Sequence, residues 1–407
     1  MSRVWIVTLL RTTRESYWFL PLVLVVLAHG LAFTMVWLDR VYPEFGVDVL
    51  PRALRDTQAA GARALLSLMA SSIIGVTGVM FSLTMVAVSF ASGNFGPRLV
   101  SNFMRDRGNQ WSLGVLIATF AYCLQVLRTV KGPVAEVFVP HLALLVALIL
   151  TLISILVMIY FIHHVPETIN VGNITAGLSR RLEAAVRAEV DAEPFDRPKE
   201  QPRRPPIGQP TLDWSGYIAT VDLERLDLLS RRNGWRFLLL SQPGDFVPAG
   251  TPVMEIYPDD NNRPPDPKTL NSLRACFGIG DGRTEEQNPL FLTDQLVEIA
   301  VRALSPGVND PFTAIDCLNR MYAALHVSLT YEGGLDDRLL GPMDRKHLTF
   351  DVLMEATFGK SHFYVAQDPL TLAHMAKLLS QLRPYARDER EEHVIDAMAE
   401  RLREAAD

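Results

Sequence analysis

Several catalytic signatures are missing from this 407-residue chain. It has no HExxH, no GxSxG, no CxxC and no Walker motif. Their absence removes the zinc-protease, serine-hydrolase, dithiol and P-loop chemistries that those patterns carry. Cysteine is scarce: Cys123, Cys276 and Cys317 stand far apart. That excludes a disulfide framework and fits a soluble part kept in the reducing cytoplasm. An excess of basic charge is also lacking. Lys and Arg number 39 against 45 Asp and Glu, for a net charge of −6, so no nucleic-acid partner is expected. His326, His347, His362, His374 and His393 are dispersed without metal-ligand spacing. His362 and His374 lie among apolar neighbours and read as packed side chains. The chain is therefore expected not to be an enzyme and to need neither metal nor cofactor.

Long apolar runs are absent after residue 165 and abundant before it. Four segments there reach the roughly 20 apolar residues a bilayer crossing needs: Tyr17–Leu38, about Ala64–Ala91, about Trp111–Val130 and about Val137–Ile162. The first is too long for a signal-peptide core and lacks a small-residue cleavage site. Tyr17, Trp18 and Trp37 flank it like interface anchors. The last two form a hairpin through the Arg128-to-Pro133 turn. The first two are joined through a stretch with Pro43, Pro51 and a possible short amphipathic helix.

Basic residues orient the spans. Arg3, Arg11 and Arg14, then Arg98, Arg105 and Arg107, then Arg180, Arg181 and Arg187 fall on one side of an even number of crossings. That side is expected to be the cytoplasm, with both termini there, in a bacterial inner membrane. The opposite loop carries Arg40, Arg52, Arg55 and Arg63, but Asp39, Glu44, Asp48 and Asp56 intermingle with them.

The second span holds the strongest pattern. Ser71, Gly75, Gly78, Ser82, Met85, Ser89 and Ser92 recur at alternating steps of four and three. This heptad seam of small residues predicts a helix packed along its length against protein or water rather than acyl chains. Two readings stay open. One is helix packing within a four-helix bundle or an oligomer. The other is a pore lining of Ser71, Gly75, Gly78, Ser82, Met85 and Ser89, with Arg98 at its cytoplasmic mouth. The seam is uncharged, which suits a weakly selective or hydrophobically gated pore. His29, in mid-span, is expected to bond a seam serine, with a proton or ion path as the alternative. His163 and His164 are expected to be interfacial.

The remaining residues, about 240 of them, are large enough for one or two further domains. Glu167–Ala192 reads as a helix leaving the membrane, with Leu178, Leu182, Val186 and Val190 four apart. A Pro-rich linker follows, Glu193–Pro210. Then come a strand near Trp214–Val221, a helix over Leu223–Asn233 stopped by Gly234, and strands near Arg236–Leu240 and Val253–Tyr257. The turn Pro243-Gly244-Asp245-Phe246-Val247-Pro248-Ala249-Gly250 resembles the hammerhead of biotinyl and lipoyl carrier domains, without their carrier lysine. The Gly278-to-Thr284 run, which includes Arg283, reads as a turn or an anion cradle. Ser305-Pro306-Gly307-Val308-Asn309-Asp310-Pro311 stops one helix and starts another, with Asp310 as N-cap and Pro311 at N1. Asn309 and Asp310 there are either a structural corner or a site for an ion or partner. The tail reads as two or three amphipathic helices, including Leu370–Leu382 and about Asp388–Ala406.

The expected fold is therefore membrane α-helical, with four transmembrane helices over 1–165. A connecting helix and linker occupy 166–210. A cytoplasmic α+β domain with a small barrel-like or hammerhead-like part fills 211–340, and a helical region fills 341–407.

Four motifs carry a resemblance: Arg302-Ala-Leu-Ser-Pro-Gly-Val-Asn-Asp-Pro-Phe-Thr-Ala314, Ser92-Gly-Asn-Phe-Gly-Pro-Arg98, Gly282-Arg283-Thr284 and the Pro243–Pro252 turn. The chain resembles a bacterial family of predicted integral membrane proteins of unknown function, over most of its length to about residue 330. The resemblance implies an inner-membrane protein with four spans and a cytoplasmic C-terminal region. It supplies no activity and no catalytic residue. On the residues alone, the expected function is an oligomeric channel whose second span lines a Ser/Gly-rich pore under a cytoplasmic regulatory domain. The alternative is a membrane-anchored sensor or scaffold whose cytoplasmic domain binds a ligand or partner. The expected partners are the lipid bilayer and further copies of the chain.

Overall fold

The computed structural model describes residues 17–42, 57–96, 106–131, 138–191, 205–258, 263–285, 287–335, 343–344 and 348–407. Arg98, the Pro43–Pro51 stretch and most of the Pro-rich linker lie outside them. The chain divides into two compact units, 9–170 and 171–407.

The first unit contains helices α1 (Phe19–Val41), α2 (Ala59–Phe95), α3 (Arg107–Leu127) and α4 (His141–Ile169). All four are long and apolar enough to cross a membrane. Half of the most apolar window of α3 is buried, against 17%, 28% and 22% for α1, α2 and α4. So α3 is the inner helix and the others surround it. Ala28 and Ala32 on α1, Leu66 on α2, Tyr122, Cys123 and Val126 on α3, and Ala143 and Ala147 on α4 make one core. Met80 and Ala87 on α2, Leu113 and Leu116 on α3, and Phe161 and Val165 on α4 make a second.

Small residues permit this closeness. A Cβ on Gly114 would stand 2.7 Å from a Leu24 methyl and 3.2 Å from the Pro21 Cα, so α1 crosses α3 where α3 has no side chain. Polar bonds fix the register of the helices. Asp39 on α1 accepts from the backbone N–H of Leu142 and of Ala143, both at 2.9 Å. The Tyr122 hydroxyl donates to the Ala143 carbonyl at 3.1 Å. Arg63 donates to the Val130 carbonyl at 2.8 Å, and Ser154 donates to Thr119 at 3.0 Å.

The second unit begins with α5 (Val171–Val190). Its Leu178, Leu182 and Val186 stripe is buried, because α5 packs on α8 (Pro289–Ala303) and α9 (Pro311–Thr330). The helix expected to leave the membrane thus belongs to this unit, and Asn170 interrupts it with an extended ψ of 118°.

Between α5 and α8 run β1 (Gly216–Val221), α6 (Leu223–Asn233), β2 (Trp235–Leu239), β3 (Phe246–Val247), β4 (Met254–Pro258), α7 (Pro267–Arg274) and β5 (Phe277–Gly280). Asp222 caps α6 through the Arg225 N–H, and Gly234 ends it in the left-handed conformation. The strands form two three-stranded sheets, β3-β1-β5 and β4-β2-β6, with β6 at Met343–Asp344. Every pairing is antiparallel except β2 with β6. A closed barrel is not seen among the described residues. Ile218, Leu226, Phe237, Met254 and Ile256 fill the core of this part.

The chain closes with α10 (Phe350–Met354), a π-helical turn at Glu355–Gly359, α11 (Lys360–Val365), α12 (Pro369–Leu382) and α13 (Glu389–Glu404). The three cysteines are buried free thiols. Burial pushes the Cys276 thiol up to about 12 and that of Cys317 higher still.

Candidate functional site

The structure places the α2 seam on the outside of its own bundle. Ser71, Gly75, Gly78, Ser82, Met85 and Ser89 are all exposed, whereas Leu66, Ile73, Met80, Thr84 and Ala87 turn inward. Packing inside this chain's own four helices therefore does not account for the seam. The physical reason is that α3 fills the groove against the other face. A Cβ built on Gly75 or Gly78 meets nothing within 4 Å. The Ser71 hydroxyl donates to the Leu68 carbonyl and that of Ser82 to the Gly78 carbonyl, at 3.1 and 3.0 Å. The seam is uncharged and, at Ser71 and Ser82, internally satisfied, which is what close helix approach needs.

His29 does not bond a seam serine. It donates to its own helix at the Val25 carbonyl, 3.1 Å away, from an exposed position. At the other end of the bundle, His164 is more than interfacial. Its Nε2 donates to Asp106 at 2.8 Å, and its ring stacks on Tyr160 with centroids 5.0 Å apart. A Cβ on Gly108 would lie 2.3 Å from that Nε2, so a side chain there would push the ring away. Asp106 also caps α3 through the Asn109 N–H at 2.8 Å. His163, by contrast, is solvent-facing and pairs with Glu167 at 3.3 Å.

In the second unit, Arg283 and Asp310 have separate partners. Arg283 pairs with Asp294 on α8 and lies over the Phe291 ring at 5.8 Å. Lys360, at the start of α11, reaches the other oxygen of Asp294 at 2.5 Å. The Asp294 carboxylate is only 10% exposed. It thereby ties the loop after β5, helix α8 and the C-terminal helices together. A nearly buried carboxylate needs such counter-charges. The sequence holds one sign of this: an Asp inside the apolar run of α8.

Asp310 caps α9, accepting the Thr313 N–H at 3.1 Å and its hydroxyl at 2.5 Å. Asn309 takes the left-handed conformation at φ 49°. The corner is closed further by the Asp310 N–H on the Ala303 carbonyl at 2.8 Å. Phe312 and Val308 stand 72% and 47% exposed there. His374 bonds Asn319 at 2.7 Å and His362 bonds the Gly359 carbonyl at 2.6 Å. Among the described residues, no three His, Cys, Asp or Glu side chains gather as a metal site would require.

The π-turn is anchored from outside. Arg401 on α13 donates to Glu355 at 2.6 Å. This hydrogen bond holds the Glu355 carboxyl below the usual range, against a smaller opposing effect of burial. A lowered carboxyl stabilises the fold above its unfolded value, near pH 4.3, and loses that stabilisation as acid protonates it. Backbone amides of α13 in Arg401→Gln should therefore exchange faster than wild type at pH 6. The difference should shrink as the pH falls below the unfolded carboxyl value and Glu355 takes up its proton. Equal exchange rates at pH 6 would show that the pair does not hold α13.

Residues 14–381 match the family described as "Predicted membrane protein (DUF2254)". The chain belongs to this family. The match runs through α12, well past the residue-330 limit expected from the motifs. Among curated proteins, the chain is similar to the uncharacterized protein Rv1290c of Mycobacterium tuberculosis (strain ATCC 25618 / H37Rv). They are 28% identical over 385 residues, covering 90% of this chain and 71% of the relative. The uncharacterized protein Mb1321c of Mycobacterium bovis matches with the same figures. No solved structure matches. Family membership and the four apolar helices agree on a membrane protein, and neither adds an activity.

Proposed function

We propose that this DUF2254 protein is an oligomeric, channel-like protein of the bacterial inner membrane, with both termini in the cytoplasm. Copies of α2 meet along the seam around a narrow path, and the second unit regulates access to it. The observation that supports this is the outward seam: six Ser, Gly and Met positions left bare by their own bundle, with open space over Gly75 and Gly78. An uncharged lining of this kind suits gating by wetting and dewetting rather than ion capture by carboxylates.

The full chain reconstituted in liposomes should conduct. Gly78→Leu and Ser82→Leu, which put bulk on the seam, should change that conductance at least tenfold. Leu83→Met, exposed on a different face of α2, should not. Folded protein that leaves the bilayer silent sinks the reading.

The second reading is a sensor or scaffold, favoured by bare Phe312 and Val308 at the α8–α9 corner. Exposed apolar side chains mark contact surfaces where they join into a contiguous patch. It predicts seam variants with unaltered function and a loss of function in Phe312→Ser.

A further inference from the structure

Only Asn170 separates the end of α4 at Ile169 from the start of α5 at Val171. The second unit is therefore tethered, at the start of α5, to a helix apolar enough to cross a membrane. The last long apolar run of α4 ends at Ile162. From there to Ile169 the helix rises about 10 Å. The polar layer on each face of a bilayer has a similar depth, roughly 5–8 Å. The tether thus keeps the start of α5 close to the lipid surface.

Helix α9 starts at that same end of the second unit. The Thr175 hydroxyl, early in α5, donates to Asp316, early in α9, at 2.5 Å. At the far end of both helices, Arg187 lies over the Tyr331 ring and the Tyr331 hydroxyl donates to Asp191 at 3.2 Å. The two helices therefore run parallel. Phe312 stands one turn before Asp316, and Val171 one turn before Thr175, so Phe312 is level with the tether. Residues four apart share a helix face, so Phe312 lies on the side of α9 along which α5 runs. Because α5 begins only at that level, the ring is left largely exposed.

The corner that joins α8 to α9 lies beyond Phe312, and it is preformed. The N–H groups of Val308 and Asn309 both donate to the Ser305 carbonyl, at 3.0 and 2.9 Å. Pro306, Gly307, Val308 and Asn309 are all exposed, and none carries a charge. A Cβ on Gly307 would meet nothing within 4 Å. The neighbouring carboxylates are already taken, Asp310 by Thr313 and Asp316 by Thr175 and Arg320. Entry of this tip into lipid would strip water from no unpaired charge.

We infer that the 306–312 corner docks on the membrane that α4 crosses, with Val308 and Phe312 inserted among the lipid headgroups. Apolar side chains on a rigid, uncharged turn suit the boundary between headgroups and acyl chains, and aromatic rings favour it. This docking is independent of whether the seam conducts. It gives to lipid a corner that the sensor reading gives to a partner.

Nitroxide labelling of the full chain in nanodiscs of phosphatidylglycerol and phosphatidylcholine tests this. The native cysteines are buried, so the label goes to an introduced one. Val308→Cys and, separately, Phe312→Cys place it at the corner, so one can serve if the other misfolds. Thr330→Cys places it at the exposed far end of α9, and Ile155→Cys on the exposed side of α4. Both corner labels should meet dissolved oxygen more than a water-soluble nickel chelate, as the Ile155 label should, and the Thr330 label should do the reverse. Adding Val308→Asp should raise chelate contact at the Phe312 label about tenfold, the contribution of one buried valine. Chelate contact at both corner labels equal to that at Thr330 overturns the docking. So do corner labels shielded from oxygen and chelate alike, the mark of a protein partner. A chelate-exposed Ile155 label would overturn the crossing of α4 itself, and the docking with it.

Discussion

Asp39→Ala should destabilise the membrane unit by about 2–4 kcal/mol, the cost of stranding two backbone donors away from water. The first N–H groups of α4 have no partner within their own helix, and α4 has no side-chain cap of its own because Pro140 precedes it. Asp39 supplies that cap from α1, about a hundred residues earlier in the chain. Its negative charge also sits at the positive end of the α4 dipole. Asp39→Asn keeps one acceptor oxygen and should lose about half as much. Unfolding of the full chain in mixed micelles measures both, and exchange of the Leu142 and Ala143 amides localises the effect. An unchanged midpoint for Asp39→Ala would mean that water or lipid replaces the cap at no cost.

Asp294→Ala should cost the second unit about 2–3 kcal/mol. Breaking a buried ion pair costs about 3–5 kcal/mol, discounted because Lys360 is nearly half exposed. The loss exceeds that of a surface pair because Arg283 and Lys360 are left facing each other with no charge between them. The double variant Asp294→Leu with Lys360→Met should recover part of it, since an apolar replacement of a buried pair is often neutral. Chemical denaturation of the full chain gives both numbers. A single-variant loss below about 0.5 kcal/mol would place the cluster among ordinary surface pairs.

What the sequence made legible was local. The α6 helix runs over the expected Leu223–Asn233, because an Asp cap, an amphipathic stripe and a terminal glycine act within a dozen residues. The Asp310-Pro311 start of α9 was equally readable. The two glycines around β3 take positive φ, 98° at Gly244 and 79° at Gly250, as the turn pattern required. Partners far apart in the chain were not readable. Asp39 and Leu142, Asp106 and His164, and Asp294 and Lys360 meet only after helices have packed. The direction of the seam was hidden for a related reason. Both faces of α2 carry small or apolar residues, and only the position of α3 decides which one is covered. Asp39 itself read as one more charge in a loop, because its value lies in a neighbour it reaches across space.

From Ser71 to Ser92, α2 rises about 32 Å at 1.5 Å per residue, close to the roughly 30 Å of hydrocarbon in a bilayer. The seam is thus about one membrane thickness long. The twelve residues of α2 before Ser71 add about 18 Å of helix that hydrocarbon of that depth has no room for along its normal. Arg63 lies in this surplus, with its guanidinium on the end of α3. A thicker bilayer draws in apolar turns around Leu65 and Leu68, whereas a thinner one uncovers serine. From this composition, α2 should respond unequally to thinner and to thicker bilayers.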